Sequence, residues 1–192
     1  MFNLTLIDHL RLTFGHVVYQ HKAHAQRARS WALWTRMLRG AEALLMAAVA
    51  FSAIGAAAGR GSWYAGISAA LAVVALLTLL LHLTFDFEGM SRAHAWCATG
   101  LWRIRERYRA LLSDLADGVV DVEEARTRRD VLMADLQRLY ETAPPLDAQV
   151  YRSAAESLGP VDELALTDEE IDLFLPKSLQ KSIEKTESSA AV

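Results

Sequence analysis

Thiols, prolines and glycines are scarce in this chain of 192 residues, which holds one cysteine, four prolines and ten glycines. A lone cysteine, Cys97, excludes an intrachain disulfide and any metal site built on paired thiolates. So few prolines and glycines exclude a turn-rich β architecture and leave long helices as the expectation. The chain has no HExxH pair, no CxxC pair, no glycine-rich phosphate loop and no nucleophile elbow. Catalysis is therefore not expected, nor is a resident cofactor or metal. A formal net charge of -3 lacks the basic excess of a nucleic-acid binder, and direct nucleic-acid binding is not expected.

What the chain has in abundance is apolar residues, 53% of the total, and they are unevenly spread. From Ala41 to Gly59 the only charge is Glu42, and from Trp63 to Phe85 there is no formal charge. As helices rising about 1.5 Å per residue, these runs are long enough to cross a hydrocarbon core of about 30 Å. A buried helical hairpin needs other apolar surface to wrap it, and the remaining chain supplies too little. The runs are thus read as two transmembrane helices, 41–59 and 63–85, joined by Arg60, Gly61 and Ser62. The polar stretch ahead of them is too long for a cleaved signal sequence. Arg11, Lys22, Arg27, Arg29, Arg36 and Arg39 precede the first span, against the single acid Asp8. Arg92, Arg103, Arg105, Arg107 and Arg109 follow the second, so both termini are expected in the cytoplasm, with the protein multi-pass in the inner membrane. Trp63 and Tyr64 at the outer end, and Trp31 and Trp34 near the inner one, suit interfacial aromatic belts.

Both spans read as parts of longer helices. Leu10, Phe14, Val17, His21, His24, Ala28 and Trp31 recur at alternating four- and three-residue spacing, the seam of a packed helix. Met90, His94, Cys97, Leu101, Ile104, Tyr108, Leu111 and Leu115 repeat it downstream. The expected fold is an all-α membrane protein: a two-helix transmembrane hairpin extended into a cytosolic antiparallel helical bundle. A cytosolic helix over 1–40 enters the first span, and another over 86–117 continues the second without a break. Asp117-Gly118 ends that arm. Further helices are expected within 121–158, the first from Asp121 to about Thr142 and a short one over 148–158. These parts make up a domain over 5–159. A short segment over 160–183 and a disordered tail over 184–192 follow, in a stretch where the last fifty residues carry ten acids against four bases.

Candidate sites follow from chemistry in unusual places. His21 and His24 share a helix face, but a helical zinc pair more often stands at i, i+4 and needs further ligands. Their position on the apolar seam with Phe14 favours hydrogen-bonded core histidines over ligands. A pH-sensing role stays open. Glu42 and His82 fall at equal depth if the hairpin turns about Ser62. An ionisable group just inside a membrane is costly unless paired or wetted. The two are read as a contact that braces the hairpin or lines the inner mouth of a pore, the alternative being that each reaches separately for the headgroups. Ser52, Gly55, Ala56 and Gly59 on the first span, with Gly66 and Ala70 on the second, form small faces that permit close helix approach within the hairpin or between copies. The motif Thr167-Asp-Glu-Glu170 resembles a capping box, after which Ile171, Phe174 and Leu175 give an apolar face. That face either packs on its own bundle or serves as a docking or inhibitory segment for a partner.

Three stretches taken together carry a resemblance: LRLTFGHVVYQHKAHAQRARSW at the start, two spans joined by a very short turn, and RYRALLSDLADGVVDVEEARTRRDVLMADLQRLYETAPPLDAQVYRSAAESL with LTDEEIDLFLPKSL. Over roughly residues 5–183 the chain resembles the SLATT proteins, two-transmembrane effectors associated with SMODS and SLOG modules. The resemblance implies a membrane effector of a bacterial antiphage defence system that oligomerises and forms a pore or disrupts the inner membrane, ending in abortive infection. It implies as partners the lipid bilayer, further copies of the chain, and a separately encoded sensor such as a nucleotidyltransferase or a reverse transcriptase. It leaves open whether a cyclic-nucleotide second messenger binds directly, since the fused sensor domains of some members are absent from this sequence. A non-conducting anchor or scaffold that recruits a cytosolic enzyme is the rival reading.

Overall fold

The computed structural model describes residues 5–59, 61–146 and 168–181. All regular elements among them are helices: α1 (Leu6–Ala57), α2 (Ser62–Thr84), α3 (Phe87–Ala116), α4 (Val122–Thr142), the short α5 (Asp168–Asp172) and a 3-10 turn, Lys177–Leu179. The chain is all-α. The helix expected over 148–158, the start of the C-terminal segment and the tail over 184–192 lie outside the described residues. Contacts divide the chain into two compact units, Met1–Arg27 with Ala93–Val192, and Ala28–Arg92.

The second unit is the hairpin. α1 and the run beginning at Ser62 are each long and apolar enough to cross a membrane, and their most apolar stretches are only 11% and 6% buried within the chain. A soluble core helix would hide such a stretch. Here the large side chains point outward instead: Leu44 is 74% and Phe51 73% exposed, with Ile54, Leu76 and Leu83 also exposed. What lies between the helices is small or polar. Ser52 and Ala75 are buried, and the Ser68 hydroxyl donates to the Val49 carbonyl at 3.5 Å. Gly55 is needed for this approach, because a Cβ there would stand 2.8 Å from the Tyr64 ring. The facing pairs Gly55–Tyr64 and Val49–Ser68 centre the turn near Gly59, not Ser62 as expected. Gly59 (φ 68°) and Gly61 (φ 125°) both take conformations that residues with a Cβ avoid. They make the reversal where the sequence placed only a connector.

The expectation of one unbroken helix through the second join is overturned. α2 stops at Thr84 and α3 starts at Phe87, with Phe85 extended between them. The cause is local: the Asp86 carboxylate accepts from the Gly89 backbone N–H at 2.7 Å, an N-cap that starts a new helix. A Cβ at Gly89 would stand 2.0 Å from an Asp86 carboxylate oxygen, so glycine leaves the cap its room. Phe87 stacks on Trp31 (centroids 5.4 Å apart) and Phe85 on Phe87 (5.6 Å). Glu88 pairs with Arg39 and Arg92, and the Ser91 hydroxyl donates to the Ala28 carbonyl.

The other unit is built the opposite way. Leu10, Phe14 and Val17 of α1 meet Leu101, Ile104, Tyr108 and Leu111 of α3 and Leu132, Leu136 and Leu139 of α4 in one buried cluster. Of the seam residues, Leu10, Phe14, Val17, Cys97, Leu101, Ile104, Tyr108 and Leu111 are core, whereas His21, Trp31, Met90 and Leu115 are half-buried. α3 and α4 approach closely at Gly100, where a Cβ would stand 2.8 Å from the Leu139 side chain. Between them the turn carries Gly118 at φ 67°, and the Asp121 side chain caps α4 by accepting from Glu124 N–H at 2.8 Å.

Candidate functional site

In the hairpin unit, the structure brings Glu42 and His82 together. The imidazole Nδ1 lies 3.2 Å from Glu42 Oε1, an ion-pair distance whose angles miss hydrogen-bond alignment. Both side chains are mostly covered, 21% and 25% exposed. With the turn centred near Gly59 the two are not level, and the contact runs diagonally along the pair of helices. Among the small residues the structure divides what the sequence grouped. Ser52 and Gly55 are buried and Ala56 is half-buried, facing the partner helix, whereas Gly66 and Ala70 are exposed. Nothing stands within 4 Å of a Cβ built at Gly66. The first-span face closes the hairpin, and the second-span face does not.

In the packed unit, the histidines resolve into two different contacts. His21, half-buried, donates from Nδ1 to the Ala98 carbonyl at 2.9 Å. His24 meets a residue not singled out as its partner: its Nδ1 lies 3.0 Å from Nδ1 of His94, both rings being buried. Burial, and then the neighbouring His94, lower the His24 pKa to about 4, so the His24 ring is uncharged near neutral pH. His16 is exposed and takes no part. No group of three or more His, Cys, Asp or Glu is arranged to hold a metal among the described residues. Cys97 is fully buried, and burial pushes its thiol up to about 11. It is an inert core residue. The His24–His94 partnership depends on register between helices, which the spacing along either seam does not contain. Placing the turn at Gly59 would have set residue 24 opposite residue 94.

The C-terminal segment read as a docking element is seated on the chain itself. Ile171 and Leu175 are buried in the main core, and Phe174 packs against it, its ring edge-on to Tyr19 at 6.3 Å. Polar contacts fasten the same segment. Arg11, 3% exposed, donates to Asp172 Oδ1 at 2.5 Å and to the Leu179 carbonyl at 2.5 Å. Lys181 pairs with Asp8 at 2.6 Å and with Asp168 at 3.6 Å. The hydrogen bond from Lys181 is the main cause of a lowered Asp8 pKa, and the same bond raises that of Lys181. The Gln180 amide donates to the carbonyls of Asp172 and Leu175 and closes the segment on itself. In the sequence Arg11 stands out only as part of a positive flank. Its burial against an acidic, apolar stretch more than 150 residues away is a tertiary fact.

Neither a curated protein nor a solved structure matches the chain significantly. A family does: the sequence profile described as SMODS and SLOG-associating 2TM effector domain family 4 matches residues 6–170. That span takes in the whole hairpin, both histidine contacts, Arg11 and the start of α5. Two long apolar helices with outward-facing side chains are what a two-transmembrane domain requires. The chain is a membrane protein of the SLATT group, belonging to SMODS and SLOG-associating 2TM effector domain family 4.

Proposed function

We propose that this chain is the membrane effector of a bacterial antiphage defence system. It acts by self-assembly in the inner membrane, with both termini in the cytoplasm, and it opens a pore or breach when a partner sensor or a nucleotide second messenger signals infection. The observation that carries the reading is the hairpin: two apolar helices with outward-facing side chains and one covered ionisable pair, Glu42–His82, near one end. Two helices cannot enclose an aqueous path, because their lipid-facing backbone offers no lining, so several copies are required. The exposed small face at Gly66 and Ala70 suits close approach by a neighbouring copy. Glu42 and His82 then brace the hairpin at the inner mouth, where an ionisable pair is retained only if it is paired or wetted.

The test is to express the chain with a candidate sensor, such as a nucleotidyltransferase, and follow membrane potential during induction. Depolarisation with the wild type, lost in a Glu42→Gln, His82→Gln double variant that still reaches the membrane, is the expected result. Full activity after both spans are exchanged for an unrelated hairpin of equal length would instead make the chain an anchor that recruits an enzyme.

A further inference from the structure

Residues 168–181 are a described part of the packed unit that is short on helix. It holds five residues of α5 and a three-residue turn. Its hold on α1 combines the buried anchors Ile171 and Leu175 with the Arg11–Asp172 and Lys181–Asp8 pairs. Two buried aliphatic side chains do not by themselves offset the ordering of fourteen residues. The polar contacts therefore decide whether the segment stays down. Those at its far end are partly exposed, with Lys181 and Asp168 both at 36%. Beneath the 3-10 turn the fit is incomplete: a groove of about 930 Å³ runs between Lys177, Leu179 and Lys181 on one side and Asp8, Leu112 and Leu115 on the other. The segment is thus held at buried anchors and is open toward its outer end, from which it can peel away.

We propose that residues 168–181 are a cis strap that clamps the N-terminal arm of α1 in the resting effector, and that release of the strap is the step that activates it. The proposal rests on the effector reading above. α1 is the helix that also carries the first apolar run, so the strap grips the chain at the start of a membrane-entering element. Release uncovers Arg11 and Tyr19, a cation and an aromatic ring that the strap contacts in the resting chain. Opening is driven by whatever competes for the Arg11 and Lys181 pairs, and local segments of this kind open independently of the fold that carries them.

The experiment uses the full chain in vesicles of phosphatidylethanolamine and phosphatidylglycerol, with two readouts. Lys181→Glu sets a carboxylate against Asp8 and Asp168 without touching the core. It is expected to speed amide hydrogen exchange over 168–181 about tenfold and to cause dye leakage with no trigger. Adding Asp8→Lys should restore slow exchange and a tight vesicle. In a Tyr19→Cys, Phe174→Cys chain, a short bis-maleimide bridges the strap, and it should suppress leakage even with Lys181→Glu present; buried Cys97 stays unmodified. Unchanged exchange in Lys181→Glu overturns the proposal. So does leakage that ignores the cross-link, which leaves the effector reading intact. Faster exchange with no leakage from any variant removes the permeabilising reading, and the strap's activating role falls with it.

Discussion

The two units of this chain use the same side chains in opposite senses. In the packed unit Leu10, Phe14, Leu101 and Tyr108 are buried against one another, and charges cover the outside. In the hairpin Leu44, Phe51 and Leu83 stand outside, and Ser52, Gly55 and Ala75 lie between the helices. Burial of large apolar groups away from water drives the first arrangement. In the second, lipid removes that incentive, and close packing of small residues is what holds helices together. Apolar content alone thus says little about where a core will be. Which partner, water or lipid, faces the outer surface decides that.

Paired substitutions put the largest strain on this contrast. Phe14→Ala should cost the packed unit about 3–5 kcal/mol, the usual range for a buried phenylalanine. Phe51→Ala in the hairpin should leave helix stability within about 0.5 kcal/mol, as for a surface site. Chemical denaturation in micelles, followed by unit-specific hydrogen exchange, measures both. Equal costs would mean that the hairpin's outer face is covered by protein.

Acid should weaken the packed unit through His24. The His24 pKa is about 4 in the folded chain against an ordinary 6.5, so between those values the unfolded chain binds more protons. Stability is fully present above about pH 6.5 and is lost as pH falls toward 4, by up to roughly 3 kcal/mol. A denaturation series over that window checks this. His24→Gln should flatten the dependence, and a slope that survives it would place the sensitive group elsewhere. The smallest effect belongs to the joint in the hairpin. Asp86→Ala removes the cap of α3 and should cost about 1 kcal/mol. It is read as faster exchange at Gly89 and Met90, with Phe14 and its neighbours unaffected.

How much of this was legible in the sequence follows the range of the interaction. The membrane runs depend on composition along one helix, and the seam depends on spacing along one helix, so Leu10 to Val17 and Leu101 to Leu111 could be named from the chain alone. The position of the reversal could not, because Gly59, Gly61 and Ser62 all suit a turn and only the facing pair Gly55–Tyr64 chooses among them. The break at Asp86 had a signal, an N-cap residue three before a glycine, but attention to proline and paired glycines passes over a cap. His94 as partner of His24, and Arg11 as partner of Asp172, required contacts across 70 and 161 positions. Spacing along one element is silent on these. The family resemblance was legible because it is a property of the linear order of segments.

One consequence of the His24–His94 contact concerns symmetry. Two identical rings meet through the same atom, Nδ1 to Nδ1 at 3.0 Å. A single hydrogen has room between them, and while both rings are neutral it is bonded to only one. The donor ring is then the Nδ1–H tautomer and the acceptor ring the Nε2–H tautomer. Chemically equal residues are thereby made unequal, and the inequality is held in place: passing the shared hydrogen alone would leave an imidazolate beside an imidazolium, so the roles exchange only if one Nε2 gains a proton and the other loses one.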